Sequence, residues 1–175
     1  MVLVLMGVTA SGKTTIGQRL ARRLKWPFYD ADGFHPPENI AKMSRGEPLT
    51  DADRQPWLQA LHEKIAEHVR DGRPAIFACS ALKDAYRHTL RGTLPDAEVQ
   101  FVYLKGDPAV LQSRLDHRKG HFMPRTMLPS QLDALEEPQD ALIVNAALTV
   151  PTLVRQIIKA FNLTPSATPI EQTNG

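Results

Sequence analysis

This sequence predicts an α/β fold with a mainly parallel sheet, on three observations. Strand-type and helix-type patterns alternate from one end of the chain to the other. The first such unit carries a glycine-rich turn, Gly7-Val8-Thr9-Ala10-Ser11-Gly12-Lys13-Thr14, that fits G-x-x-x-x-G-K-[ST] at each required position. Polar clusters fall where strand patterns end: Thr9–Thr15, Asp30–His35, Ser80–Arg87 and Lys105–Asp107. In an open α/β sheet, that edge is where ligands sit.

The opening run Val2-Leu3-Val4-Leu5-Met6 is of buried-strand type. Beyond the glycine turn, Ile16, Leu20 and Leu24 recur every four residues, as on one face of a helix. Strand, glycine loop and helix together make a phosphate site. Glycines let the backbone fold tightly around an anion with N–H groups pointing inward. The helix start adds unpaired donors and the positive end of its dipole. Lys13 is then placed to reach the β- and γ-phosphates of a nucleotide, and the Thr14 hydroxyl to ligate Mg²⁺. Gly7, Val8, Thr9, Ala10, Ser11, Gly12, Lys13, Thr14 and Thr15 are the nucleotide-binding candidates of this segment.

A short strand is expected over Trp26–Tyr29, leading into Asp30-Ala31-Asp32. A polar, proline-rich stretch follows, with one or two helical turns over Glu38–Met43. A long helix runs from the capping residues Thr50, Asp51 and Asp53 to about Arg70, with Pro56 near its first regular turn. Leu58, Leu61, Ile65 and Val69 form its buried stripe, and Trp57 reads as core. His62-Glu63 begins like a zinc-helix motif, but Ala66 stands where the second ligand belongs, so both read as solvated. Asp71-Gly72-Arg73 is a turn, Pro74–Cys79 a central strand, Asp84–Arg91 a helix and Val99–Leu104 a strand. Asp107 and Pro108 open a helix that ends near His117. Then come a basic loop from Arg118 to Arg125, a short helix over Ser130–Leu135, a strand over Ala141–Val144 and a closing helix over Val150–Phe161.

The 175 residues suit one domain, expected over 1–163, with a substrate-binding region about 33–70, a lid about 117–130 and a disordered tail over 164–175. A net charge of +2 gives no strong pull toward nucleic acid or membrane. The first apolar run is far shorter than the roughly 20 residues a bilayer demands, and it lacks a basic leader. A single cysteine, Cys79, permits no internal disulfide and reads as packing. These features predict a cytoplasmic protein.

Asp30 and Asp32 alternate by two, so an extended segment turns both the same way. They serve either a metal and an acceptor hydroxyl, or the capping of a turn. Arg114 and Arg118 are spaced i, i+4 on one helix face. With Lys119, His121 and Arg125 they make either a clamp on a transferring phosphoryl group beneath a water-excluding lid, or a solvated basic surface.

The longer strings carry a more specific signal. Asp30-Ala31-Asp32-Gly33-Phe34-His35-Pro36-Pro37-Glu38-Asn39-Ile40-Ala41-Lys42-Met43 and Gly46-Glu47-Pro48-Leu49-Thr50-Asp51-Ala52-Asp53-Arg54-Gln55-Pro56-Trp57-Leu58 resemble the substrate segments of the gluconokinases, a family of P-loop sugar-acid kinases. Cys79–Arg87 and His121-Phe122-Met123-Pro124 resemble later motifs of that family, and the likeness covers about residues 3 to 163. Ala31 stands where the family often has glycine, and Thr9-Ala10 where a smaller pair is common. The resemblance implies transfer of the ATP γ-phosphoryl to the 6-hydroxyl of D-gluconate, feeding the pentose phosphate or Entner–Doudoroff route. It implies a nucleoside-monophosphate-kinase-like P-loop fold, with five parallel strands in the order 2-3-1-4-5 and a lid, and it suggests a homodimer.

Gluconate carries one carboxylate and a row of hydroxyls, so its site needs a few cations and short polar groups. Asp32, His35, Asn39, Lys42, Arg45, Arg54, Lys83 and Arg87 are the candidates, with His35 equally readable as a packed turn residue. The expected catalytic set is Lys13, Asp32 and Arg118, with Arg114 and Arg118 on ATP and Thr14 and Asp30 at Mg²⁺. The competing readings are a kinase for another hydroxy acid such as shikimate, a nucleoside-monophosphate kinase, and an ATP-hydrolysing switch.

Overall fold

A computed structural model describes residues 1–117 and 127–166. Strands β1 (Val2–Met6), β2 (Phe28–Asp30), β3 (Ala75–Ala78), β4 (Val99–Lys105) and β5 (Leu142–Asn145) form one sheet in the order β2-β3-β1-β4-β5. Every neighbouring pair is parallel, so all carboxyl ends lie along one edge. The central strand β1 is fully buried along its length. Burial on both faces explains why it reads as a continuous apolar run instead of an alternation.

Side chains alternate across the sheet and split the core in two. Val2, Val4, Phe77, Phe101 and Tyr103 pack beneath α3 (Asp51–Arg70) and α4 (Asp84–Arg91). Leu3, Leu5, Ile76, Val102 and Val144 pack against α1 (Lys13–Leu24) and α7 (Val150–Ala160). A third, smaller apolar group forms at the ligand edge: Val8, Leu82, Leu111 and Leu128 join the first loop to α5 (Pro108–Asp116) and α6 (Met127–Asp133). The remaining helix, α2 (Pro37–Ser44), precedes α3.

Local signals account for most boundaries. Thr50 and Asp53 form a reciprocal capping box at the start of α3. Asp107 caps α5 by accepting from the Ala109 and Val110 amides. Three details depart from expectation. Pro56 lies inside α3, in its second turn. Helix α6 starts at Met127 and ends at Asp133, so Pro129 sits in its first turn, where a missing N–H costs nothing. His62 is half-buried, not solvated, with Nδ1 3.1 Å from the Leu90 carbonyl at the end of α4. The chain remains tied to the fold at Ser166, whose amide donates to the Leu24 carbonyl at 2.8 Å. Residues 167–175, most of the expected tail, lie outside the described residues. Among the described residues, no helix is long and apolar enough to cross a membrane.

Candidate active site

The first loop folds tightly between β1 and α1. Gly7 takes a φ of +139°, and a Cβ there would meet the Leu104 carbonyl and the Ser11 hydroxyl at 3.0 Å. Helix α1 begins at Lys13, so its first amides have no intrahelical acceptor and face the loop's concavity. The Lys13 ammonium lies across the loop, donating to the carbonyls of Gly7 at 2.9 Å and Val8 at 3.0 Å. A positive charge is thus fixed at the mouth of an N–H-lined turn, which is the electrostatics an oligophosphate needs. Ser11 is buried within the loop, and Thr15 is exposed on the first turn of α1.

The acidic pair differs from the extended arrangement expected of it. Asp30 ends β2, whereas Asp32 lies in a 3-10 turn, Ala31–Phe34. Asp30 Oδ1 accepts from the Asp32 amide at 3.2 Å, and its Oδ2 accepts from the Thr14 hydroxyl at 2.8 Å. One carboxylate therefore caps the turn and reaches the phosphate loop at once. The two readings of Asp30 are compatible. Asp32 is exposed at the ligand edge.

Packing from below fixes this acidic turn. The Trp57 indole N–H donates to the Ala31 carbonyl at 2.7 Å. The His35 ring stacks on Trp57, with centroids 4.5 Å apart and planes 10° from parallel. Burial holds the His35 imidazole below its ordinary pKa, nearby Asp32 works against this, and Arg54 reinforces it. Burial also pushes the Cys79 thiol up to about 12; Lys13, Asp32 and Asp30 are among the charges that it feels. The ends of β1, β2 and β3 thus gather Lys13, Thr14, Asp30 and Asp32.

The remaining candidates divide into two groups. Lys83 donates to Asp51 at 2.7 Å, and Arg54 lies 3.5 Å from the same carboxylate and from the Tyr86 hydroxyl. The Tyr86 hydroxyl also donates to Asp51. Asp51 thereby collects the hydrogen bonds that an acidic ligand would compete for. The other group braces structure. Buried Asn39 donates to the Asp53 carbonyl at 2.8 Å, and Lys42 pairs with the Asp53 carboxylate at 2.8 Å. That pairing, with the Thr50 hydrogen bonds, lowers the Asp53 carboxyl to about 2. Arg45 pairs with Glu47 on the surface.

The i, i+4 spacing of Lys83 and Arg87 suggests one helix face turned to the site, but the two diverge. Lys83 is the residue before α4, in extended conformation. Arg87 is 5% exposed and turns back to the carbonyls of Ala81 and Leu82 and to Asp84.

On the nucleotide side, Arg114 Nη2 donates to the Ala146 carbonyl at 2.7 Å, and Nη1 lies 3.5 Å from the Ala10 carbonyl. It spans the gap between the phosphate loop and the segment after β5. Arg118, Lys119, His121 and Arg125 lie outside the described residues. Sequence reading missed Asp51, Tyr86 and Gln131. Gln131 Oε1 accepts from the Thr9 amide at 2.6 Å. Their site contacts cross long sequence separations: Asp51 with Lys83 and Tyr86, and Gln131 with Thr9.

Comparison with known proteins agrees with this geometry. The shikimate kinase family model matches residues 9–156. The gluconokinase of Gluconobacter oxydans is 51% identical over 138 residues, covering 79% of this chain and 76% of that protein. The thermoresistant gluconokinase of Escherichia coli is 45% identical over 148 residues, covering 82% and 83%. A crystal structure of a gluconokinase from Sinorhizobium meliloti superposes with a TM-score of 0.81 at 42% identity, covering 91% of this chain and 90% of that one. With a phosphate loop, an acidic turn and a polar far wall arranged as described, the chain belongs to the gluconokinases, within the broader shikimate kinase family.

Proposed function

We propose that this protein transfers the γ-phosphoryl group of ATP to the 6-hydroxyl of D-gluconate. The observation that carries the reading is the joining of Lys13, Thr14, Asp30 and Asp32 at one edge of the sheet. The triphosphate lies on the loop amides and the α1 N-terminus, where the Lys13 ammonium, held by the Val8 carbonyl, also donates to phosphate oxygens. Thr14 and Asp30 offer a hydroxyl and a carboxylate 2.8 Å apart, hard oxygen donors that suit Mg²⁺ bound with waters and phosphate. Held there, the ion would neutralise phosphate charge during transfer.

Asp32 holds the acceptor hydroxyl in line with the phosphorus. The transition state is loose, so alignment by Asp32 outweighs its basicity. The gluconate chain then runs toward His35, Arg54 and Lys83, and its carboxylate exchanges with Asp51 for their hydrogen bonds. Neutral His35 contributes a polar edge without a charge. Arg114 and Arg118 complete the ATP side. Asn39, Lys42, Arg45 and Arg87 act indirectly in this scheme, by holding α2, α3 and the β3–α4 loop. The protein works in the cytoplasm as a homodimer, a reading supported by its single buried cysteine and its family.

An assay of ADP release with gluconate, shikimate and AMP as separate acceptors tests this. Gluconate-dependent turnover is the expected result. Turnover with shikimate or AMP alone would overturn the substrate assignment, and acceptor-independent hydrolysis would favour a nucleotide switch.

A further inference from the structure

We propose that Gln131, on α6, is a positioning residue for phosphoryl transfer, acting through Lys13. The proposal rests on the reading of Lys13 as the γ-phosphate ligand.

The argument starts from one peptide group. The Val8 carbonyl accepts from Lys13 Nζ at 3.0 Å and from the Ser11 amide at 3.3 Å. The N–H of the same peptide, carried by Thr9, donates to Gln131 Oε1 at 2.6 Å. In a trans peptide these two groups point in opposite directions. The Val8–Thr9 unit is therefore clamped at both ends, by the lysine on one side and the glutamine on the other. Rotation of this peptide would swing the carbonyl that orients the ammonium. The acceptor that prevents rotation comes from a residue 122 positions away.

The element carrying Gln131 is itself anchored. Leu128, 2% exposed, packs with Val8, Leu82 and Leu111, and Leu132 lies against the same cluster. Just beyond α6, the Glu136 amide donates to the Leu82 carbonyl at 2.9 Å, and its carboxylate accepts from the Asp84 amide at 2.6 Å. Helix α6 is thus tied to both the phosphate loop and the β3–α4 loop. Chemistry explains the choice of side chain. An acceptor is needed next to a site for a highly charged anion, and a carboxamide supplies one without negative charge. A carboxylate would make the same hydrogen bond and repel the nucleotide.

Two variants of the full chain test this, Gln131→Met and Gln131→Glu. Methionine keeps length and packing but removes the acceptor. Its kcat should fall about tenfold, the scale of one lost orienting hydrogen bond, with the gluconate KM and the thermal midpoint nearly unchanged. Glutamate keeps the acceptor. Its kcat should stay within about threefold of the parent, while binding of a non-hydrolysable ATP analogue weakens about tenfold from added charge.

An unchanged kcat in Gln131→Met would overturn the proposal. So would equal losses of kcat and thermal midpoint in both variants, the mark of a purely structural role. Should the methionine variant fail to fold, unaltered analogue binding by Gln131→Glu overturns it. Analogue binding needs no acceptor, so this readout stands even if the parent proves inactive on gluconate, a result that would instead remove the proposed substrate.

Discussion

Replacing Trp57 with phenylalanine separates the core from the acidic turn that it supports. Trp57 is 4% exposed, and its indole N–H donates to the carbonyl of Ala31, itself 1% exposed, between the two aspartates. Phenylalanine keeps an apolar ring but removes the donor. A buried carbonyl without its partner costs about 1–3 kcal/mol. The lost ring atoms add roughly 1 kcal/mol more. For a chain of this size each kcal/mol lowers the thermal midpoint by about 2–4 °C, so a fall of roughly 4–16 °C is expected. The turn carrying Asp32 loosens at the same time, and His35 loses its full stacking surface. A displacement well under 1 Å there should lower kcat about tenfold, whereas the ATP KM should hold because Lys13 and Thr14 belong to another element. Thermal unfolding followed by circular dichroism, with steady-state kinetics on the same preparation, measures both. A lower midpoint with unaltered kcat would uncouple the indole from the acidic turn, and an unaltered midpoint would refute the hydrogen bond as a stabilising contact.

Three further outcomes are expected. Asp32→Asn should reduce kcat by roughly 10²–10⁴-fold while ATP still binds; an unchanged turnover number removes Asp32 from the chemistry. Gly17→Ala should destabilise the protein by about 1–3 kcal/mol despite alanine's better helix propensity, because a Cβ there would come within 2.4 Å of the Phe28 ring; a denaturation midpoint at or above the parent's contradicts that close approach. Stability should also decline in mild acid. Burial is the main cause that lowers the pKa of both His35 and His68 from the ordinary 6.5. Their contribution is complete above that value and is lost as pH drops through the lowered folded values, because the unfolded chain takes up protons first. Urea midpoints at a series of pH values, for the parent and for His68→Asn, would show a shallower decline in the variant; identical slopes would exclude His68 as a source.

Much of the fold was legible because its signals are local. Buried strands read as apolar runs, and α4 was placed at Asp84–Arg91, its observed bounds. The phosphate loop was legible for the same reason, since its glycines, Lys13 and Thr14 are contiguous. For α6 the sequence points to a start at Ser130 because Pro129 looks like a boundary, although proline fits the first turn of the helix over Met127–Asp133. Residue spacing points to extended chain at Asp32, but the Asp30 side chain caps a 3-10 turn there, which no spacing rule signals. Arg87 reads as a ligand from residue type and spacing, yet the carbonyls of its own preceding loop hold its guanidinium. Gln131 on Thr9 and Tyr86 on Asp51 are tertiary pairings that no spacing rule encodes. His68, buried against Tyr29 with Nε2 3.0 Å from its hydroxyl, was hidden in the same way.

A crystal structure with a non-hydrolysable ATP analogue, Mg²⁺ and gluconate tests the central claim most directly. The terminal hydroxyl of gluconate should lie between the Asp32 carboxylate and the γ-phosphorus, with the metal beside Thr14 and Asp30. Gluconate bound with its carboxylate toward the nucleotide, or Asp32 out of reach of any hydroxyl, would contradict the account.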